Sequence, residues 1–314
     1  MRIGITVDSA CDLPRDYLDE HKVVVLPTTI HFDGTTFADE RDPVATLRFY
    51  RETLGDRVHA AESTPYSTEQ FRELFLSRLV TEYDFVFCLT ITSTRSAIYQ
   101  NAVMASREIL RYYHPIRKDA GLKGIFQMRV LDSKTAFAGQ AIAVLEGVRM
   151  IEEGADHNAV RERLEFLSNN TYGFMVPRDL FHLRASLVKR GDKNLPWYRA
   201  ALGTMLDMKP ILQIYRGETS TVGKAKGFDA SSVAVFNYVA ERVRKGLLAP
   251  YVNLSYGGEL EKLHALQGYD VLAKTCAEHN VQLGEAVMSV TAMVNVGEGA
   301  LTVGFASEPH TPKF

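Results

Sequence analysis

The residues of this sequence best suited to chemistry are neutral hydroxyls gathered around one predicted turn. Asp84 to Ile91 is a nearly continuous apolar run of strand length, and Thr92-Ser93-Thr94-Arg95-Ser96 follows it directly. Helical spacing of Ala97, Ile98, Ala102, Ala105 and Ile109 then begins. A strand, a polar turn and a helix start bring unpaired N–H groups and the positive end of a helix dipole together, which suits an oxyanion. A second hydroxyl pair, Ser63-Thr64, lies in a non-helical connection ahead of Pro65. Ser63, Thr64, Ser93 and Ser96 each donate one hydrogen bond, so they can hold a carboxylate without doing proton chemistry on it. Hydroxyls also cap helices and close turns, and both roles stay open for this cluster.

Other chemistries find no complete signature. Gly217 to Lys224 ends like a phosphate loop, but its glycines are one residue too far apart and Ala225 replaces the metal-binding hydroxyl, so a hairpin is expected. Gly297-Glu298-Gly299 lacks the third dinucleotide glycine and reads as a close-approach turn. Ser186 and Lys189 have a penicillin-binding spacing without its partner motifs. The nine histidines show no metal spacing, and Cys11, Cys88 and Cys276 form neither a zinc motif nor a disulfide framework. No nucleophile elbow is present, so no catalytic residue, metal or cofactor is assigned. Asp8 and Asp132 end predicted strands; helix capping is the expected role, with acid or base work the alternative.

The elements that position the hydroxyls follow from pattern. Strands at Ile3–Val7, Val23–Leu26, Asp84–Ile91 and Ile125–Leu131 alternate with helical stretches, which implies a parallel sheet with right-handed crossovers. Pro27 bends the second extended piece, helices open at Asp12-Leu13-Pro14 and Asp42-Pro43, and Ser67 to Gln70 is a capping box. The small-residue-rich helix from Ala136 to Glu152 can pack closely on a sheet. The second half mixes strands and helices, with predicted helices at Asp179–Lys189 and Trp197–Leu206 and an antiparallel hairpin about Arg216-Gly217-Glu218. With 314 residues, two α/β domains are expected, 1–168 with a parallel sheet and 169–314 with a mixed one. A net charge of −2 offers no basic stripe for nucleic acid, no run suffices for a transmembrane segment, and the expected location is the cytoplasm.

On these residues the chain resembles the DegV family, bacterial proteins that include the fatty-acid-binding carriers of the fatty acid kinase system. The opening Thr6-Val7-Asp8-Ser9 with Asp12-Leu13-Pro14 is similar to the family's start, and Ser63-Thr64-Pro65-Tyr66-Ser67 through Phe71 to its Thr-Ser-x-Pro-Ser motif. Thr92 to Gln100 resembles the family's Ser-Ser-x-Leu-Ser-Gly-Thr-Tyr-Gln, while Asp132-Ser133-Lys134, Met208 to Leu212 and Gly297 to Ala300 match further segments in order. The resemblance implies a long-chain fatty acid enclosed between two α/β domains, its carboxylate held by Ser63 or Thr64 and by Ser93 or Ser96. Binding without catalysis, in a lipid carrier, is therefore expected; the alternative is a hydrolase or transferase acting on a small carboxylate at the same loops.

Three departures bear on the site. Asn295 stands where the family commonly has a histidine, and can donate to a carboxylate without becoming cationic. Arg95 replaces an apolar residue and brings a charge that pairs with the ligand or faces solvent. Leu183 is followed by Arg184 to Val188 instead of a Gly-Gly-Arg segment. The expectation is that a fatty acid kinase is not engaged as it is by the best-understood carriers.

Overall fold

The computed structural model describes residues 1–54, 61–180, 182–183 and 208–314. In the first half the strands are β1 (Ile3–Asp8), β2 (Val24–Leu26), β3 (Thr28–Phe32), β4 (Thr35–Asp39), β5 (Glu62–Pro65), β6 (Phe85–Thr90) and β7 (Gln127–Asp132). In the second they are β8 (Thr171–Val176), β9 (Met208–Tyr215), β10 (Glu218–Lys226), β11 (Tyr251–Tyr256), β12 (Gln282–Val287) and β13 (Leu301–Ala306).

β1, β2, β6 and β7 form a wholly parallel sheet in the order β2-β1-β6-β7. Its central strand β6 is buried at every residue, as an unbroken apolar run requires when both faces are covered. Pro27, which has no N–H to give a ladder, ends β2 and turns the chain into a small antiparallel sheet, β4-β3-β5. The Asp33-Gly34 turn of its hairpin has φ of 48° and 76°, both left-handed, which matches the twist of the strands it joins. Glu62 to Pro65, expected as a plain connection, is the edge strand of this sheet.

The second half supplies a six-stranded sheet, β10-β9-β8-β13-β11-β12, antiparallel except between β11 and β12. The β9–β10 hairpin turns at Arg216 and Gly217, with φ of 51° and 83°, so the Gly-Lys sequence is a hairpin and no phosphate loop. Helix Ala138–Glu152 runs between the two large sheets, with Ala138 to Val148 all buried. A Cβ on Gly304 of β13 would come within 2.3 Å of the Ala138 carbonyl oxygen, so this close approach needs glycine.

The Ser67/Gln70 capping box forms as expected, and Asp42 caps the helix starting at Pro43. Asp12 does not cap. Its side chain takes Arg41 Nη1 at 3.1 Å, Ser255 Oγ at 2.5 Å and Ser289 N at 3.0 Å, while Arg41 also donates to the Val287 carbonyl. Asp39 receives both the N–H and the hydroxyl of Thr291 at 2.7 Å. A buried ion pair and its hydrogen bonds thus join the two halves. The Ser186/Lys189 spacing, the Arg184 to Val188 segment and the helix expected at Trp197–Leu206 lie outside the described residues.

Candidate ligand-binding site

The turn after β6 divides its polar groups among several jobs. Ile91 N donates to Asp8 Oδ2 at 2.6 Å, which fixes where the turn leaves the sheet. Thr94 Oγ1 donates to the Gly217 carbonyl at 2.5 Å and Arg95 Nε to Thr219 Oγ1 at 3.2 Å, so one side of the turn docks on the β9–β10 hairpin. Ser93 N donates to Asp132 Oδ2 at 3.2 Å. Ser96 Oγ accepts Ile98 N at 3.3 Å, at the start of helix Ile98–Glu108. Ser96 therefore ties the turn to the first residue of the helix without being its N-cap, which is Ala97.

Below it lies a cavity of about 280 Å³, whose polar wall is made by Thr28, Ser63, Arg95, Ser96, Thr291 and Asn295. Asn295, from helix Val290–Val296, donates to Ser63 Oγ at 3.0 Å and to the Thr291 carbonyl at 2.6 Å. The structure so joins Ser63, Arg95, Ser96 and Asn295 on one surface. Thr64 and Ser93 lie off this lining. Side chains alternate along β5, so Ser63 turns inward and Thr64 is exposed, and Ser93 is absent from the lining. An apolar passage of about 40 Å³ adjoins the cavity, sharing Ile91, Arg95, Phe137 and Asn295 with it and adding Met175, Leu183, Ile214 and Val296 from the second half. Sequence reasoning missed Thr28 and Thr291, which carry no motif and come to the cavity only through long-range packing.

Neither strand-end aspartate caps a helix. Asp8 is fully buried and takes Ile91 N, Gln140 Nε2 at 3.1 Å and Ala10 N at 3.0 Å; burial pushes its carboxyl up to about 6 against these donors. Asp132 takes Lys134 N at 2.7 Å besides Ser93 N, tying strand end to turn. Burial also raises Asp12, with the Arg41 charge opposing. The Gly297-Glu298-Gly299 turn is a close approach as expected: Gly299 N donates to Gly257 O at 2.8 Å, and a Cβ on Gly257 would lie 2.9 Å from Gly299 N. The buried His182 ring lies beside it, with Nε2 2.8 Å from the Val294 carbonyl oxygen. Among the described residues no cluster is placed to hold a metal ion, and no helix is long and apolar enough to cross a membrane.

A family model described as "Uncharacterised protein, DegV family" matches residues 2–308. The chain belongs to the DegV family. A DegV domain-containing protein of Xanthomonas axonopodis pv. citri is 50% identical over 310 residues, 99% of each chain. The "Fatty acid-binding protein" of Thermotoga maritima is 25% identical and aligns over 98% of each. Among solved structures, DegV of Bacillus subtilis, described as a fatty acid binding protein, superposes with a TM-score of 0.74 at 19% identity, covering 98% of this chain and 100% of that one. A stearic acid-binding protein of Eubacterium ventriosum gives 0.73 at 22%, covering 97% and 98%. At these identities the superpositions establish the fold, the family's arrangement of two α/β units.

Proposed function

We propose that this DegV-family chain binds a long-chain fatty acid without catalysis, as a lipid carrier, between domains formed by residues 1–168 and 169–314. The observation that carries the reading is the cavity's composition. Hydroxyl and amide donors meet one guanidinium at a wall that adjoins an apolar passage, and Arg95 is the only ionisable side chain among the described residues of that lining. Such groups bind a carboxylate, and none is an acid or base suited to turnover at neutral pH. The enzyme alternative needs Asp8, Asp132 or Arg95; the oxygens of the two aspartates already hold backbone N–H groups, and a guanidinium stays protonated and gives no base. The relatives named as fatty acid binders support the same reading.

In this reading Ser63, Ser96, Asn295 and Arg95 face the carboxylate and the tail runs along the passage. Sixteen carbons, at about 0.8 kcal/mol per buried CH₂, contribute roughly 12 kcal/mol, ample to survive purification. A passage of about 40 Å³ has room for only a few water-sized bodies, so Met175, Leu183 and their neighbours move apart as the tail enters. The buried, unpaired cysteines suit the reducing cytoplasm. Mass spectrometry of an organic extract of the purified protein tests the reading. A fatty acid in stoichiometric amount is expected; protein that yields none, and takes none up when offered it, overturns the proposal.

A further inference from the structure

The parallel sheet ends at β7, and that edge is bare. Gln127 N donates to the Asp84 carbonyl at 2.9 Å and Ser133 N to the Thr90 carbonyl at 3.0 Å, with β6 and β7 in unbroken register between them. Successive residues of a strand aim their backbone groups to alternate sides, so Gln127, Arg129 and Leu131 serve β6. Met128, Val130 and Asp132 therefore aim three N–H and three C=O groups away from the sheet, and among the described residues none of these N–H groups has a hydrogen-bond partner. β7 is the floor of a cavity of about 380 Å³, walled by Tyr99, Val103 and Arg107 of helix Ile98–Glu108 and by Glu165 and Ser168 of helix His157–Ser168. Its free charge is of one sign. Glu165 pairs with Arg129 at 3.2 Å, and Asp132 is committed to Ser93 N and Lys134 N. Arg107 and Arg111, both exposed, have no ion-pair partner among the described residues, and Lys134 at the end of the groove meets only the neutral Asn169 side chain, at 2.6 Å. From Ile98 to Lys134 there are seven basic and three acidic residues in a chain whose net charge is −2.

We propose that this groove docks an extended, acidic segment of a partner protein, which joins the four-stranded parallel sheet as a fifth strand beside β7. The outward N–H and C=O groups supply main-chain hydrogen bonds to any extended chain, and the surrounding cations select one that carries carboxylates. A second copy of this chain is the poorer occupant. Twofold pairing of β7 with itself sets the cations of one copy against the same cations of the other, and like charges facing across a strand pair are destabilising. The groove shares no lining residue with the cavity or the passage assigned to the lipid, so the inference stands apart from that reading.

The test offers the full-length protein a fluorescent peptide, acetyl-Glu-Val-Glu-Val-Glu-amide, together with its lysine counterpart and an acidic control in which proline replaces both valines. Anisotropy reads affinity, and amide hydrogen exchange reads where the peptide sits. At about ten times its Kd the acidic strand is expected to slow exchange at Met128, Val130 and Asp132 roughly tenfold and to leave Arg129 and Leu131, already bonded to β6, unchanged. Val130→Pro removes one outward N–H and no bond to β6, and should weaken the peptide about two- to tenfold. Arg107→Glu, on an exposed helix face, should weaken it about three- to tenfold with the melting temperature kept, and carries the test should the proline variant not fold. An acidic peptide that does not bind, or that binds without protecting the outward amides, overturns the inference, as when the charges only guard the edge against other strands. Equal binding of the lysine peptide or of the proline control overturns it too, since neither then reports an acidic strand. A wild-type dimer in sedimentation that Val130→Pro splits puts a second copy in the groove and overturns the choice of partner.

Discussion

Replacing Asp8 by asparagine separates the two forces that act on the carboxyl beneath the hydroxyl turn. Burial pushes this group from an ordinary 3.8 up to about 6, while Ile91 N, Gln140 and Ala10 N pull the other way. A folded value above the unfolded one means that native protein holds a proton the unfolded chain has released. Stability from this group is therefore whole below about pH 4, is lost as pH rises toward about 6, and is flat beyond about 7. At about 1.4 kcal/mol per pH unit, the interval is worth about 3 kcal/mol. Urea denaturation of wild type and Asp8→Asn from about pH 4 to 8 gives a difference curve that isolates it. Groups common to both proteins cancel, including Asp84, which the Arg2 hydrogen bond holds low and which acts only as pH falls through the acid range. Wild type is expected to lose about 3 kcal/mol relative to the variant between about pH 4 and 7. A difference that stays flat within about 0.5 kcal/mol, or slopes the other way, would show that the three donors keep Asp8 ionised and refute the dominance of burial.

In the proposed function one member of each hydroxyl pair, the one that lines the cavity, meets the ligand. Ser63→Ala and Ser96→Ala should each weaken fatty acid binding by about 1.5–3 kcal/mol, while Thr64→Ala and Ser93→Ala leave it within about 0.5 kcal/mol. Calorimetric titration of the four variants checks this, and a Thr64 variant as weak as the Ser63 one refutes the inward and outward assignment of β5. Loaded protein offered to a fatty acid kinase with ATP should form little acyl phosphate, because Asn295 and the Arg184 to Val188 segment depart from the carriers' pattern. Efficient formation would overturn that expectation.

Features with a local cause are legible in the sequence. The Ser67 capping box, the Asp42-Pro43 helix start, the bend at Pro27 and the Arg216-Gly217 hairpin each depend on a few neighbouring residues, and each forms. The turn after β6 is legible as a place, because an apolar run ending in hydroxyls ahead of a helix has few other readings. Its division of labour is not. Whether Ser63 or Thr64 faces inward depends on the phase of β5 against β3, and Glu-Ser-Thr-Pro has no apolar alternation to set it. Asp12 looks like a helix cap because a proline follows it, and only the arrival of Arg41, Ser255 and Ser289 reassigns it. Asn295 meets Ser63 across 232 residues of sequence, a closure that no local pattern encodes.

The seam between the halves also bears on how a ligand of the proposed carrier would enter. The hydrogen bonds that cross it touch Asp12, Asp39, Arg41, Ser63, Thr94, Arg95 and Lys134. At about 1 kcal/mol each, their sum approaches the whole stability of an ordinary domain, about 5–15 kcal/mol. Swinging the halves apart as a hinge would cost nearly as much as unfolding, and helix Ala138–Glu152, wedged between both sheets, would lose one of its two supports. For the proposed carrier, entry past side chains such as Met175 and Leu183 is then expected to cost less than parting the halves. The expected exchange rate of the proposed carrier then follows the mobility of side chains in the lining and not a hinge between the halves.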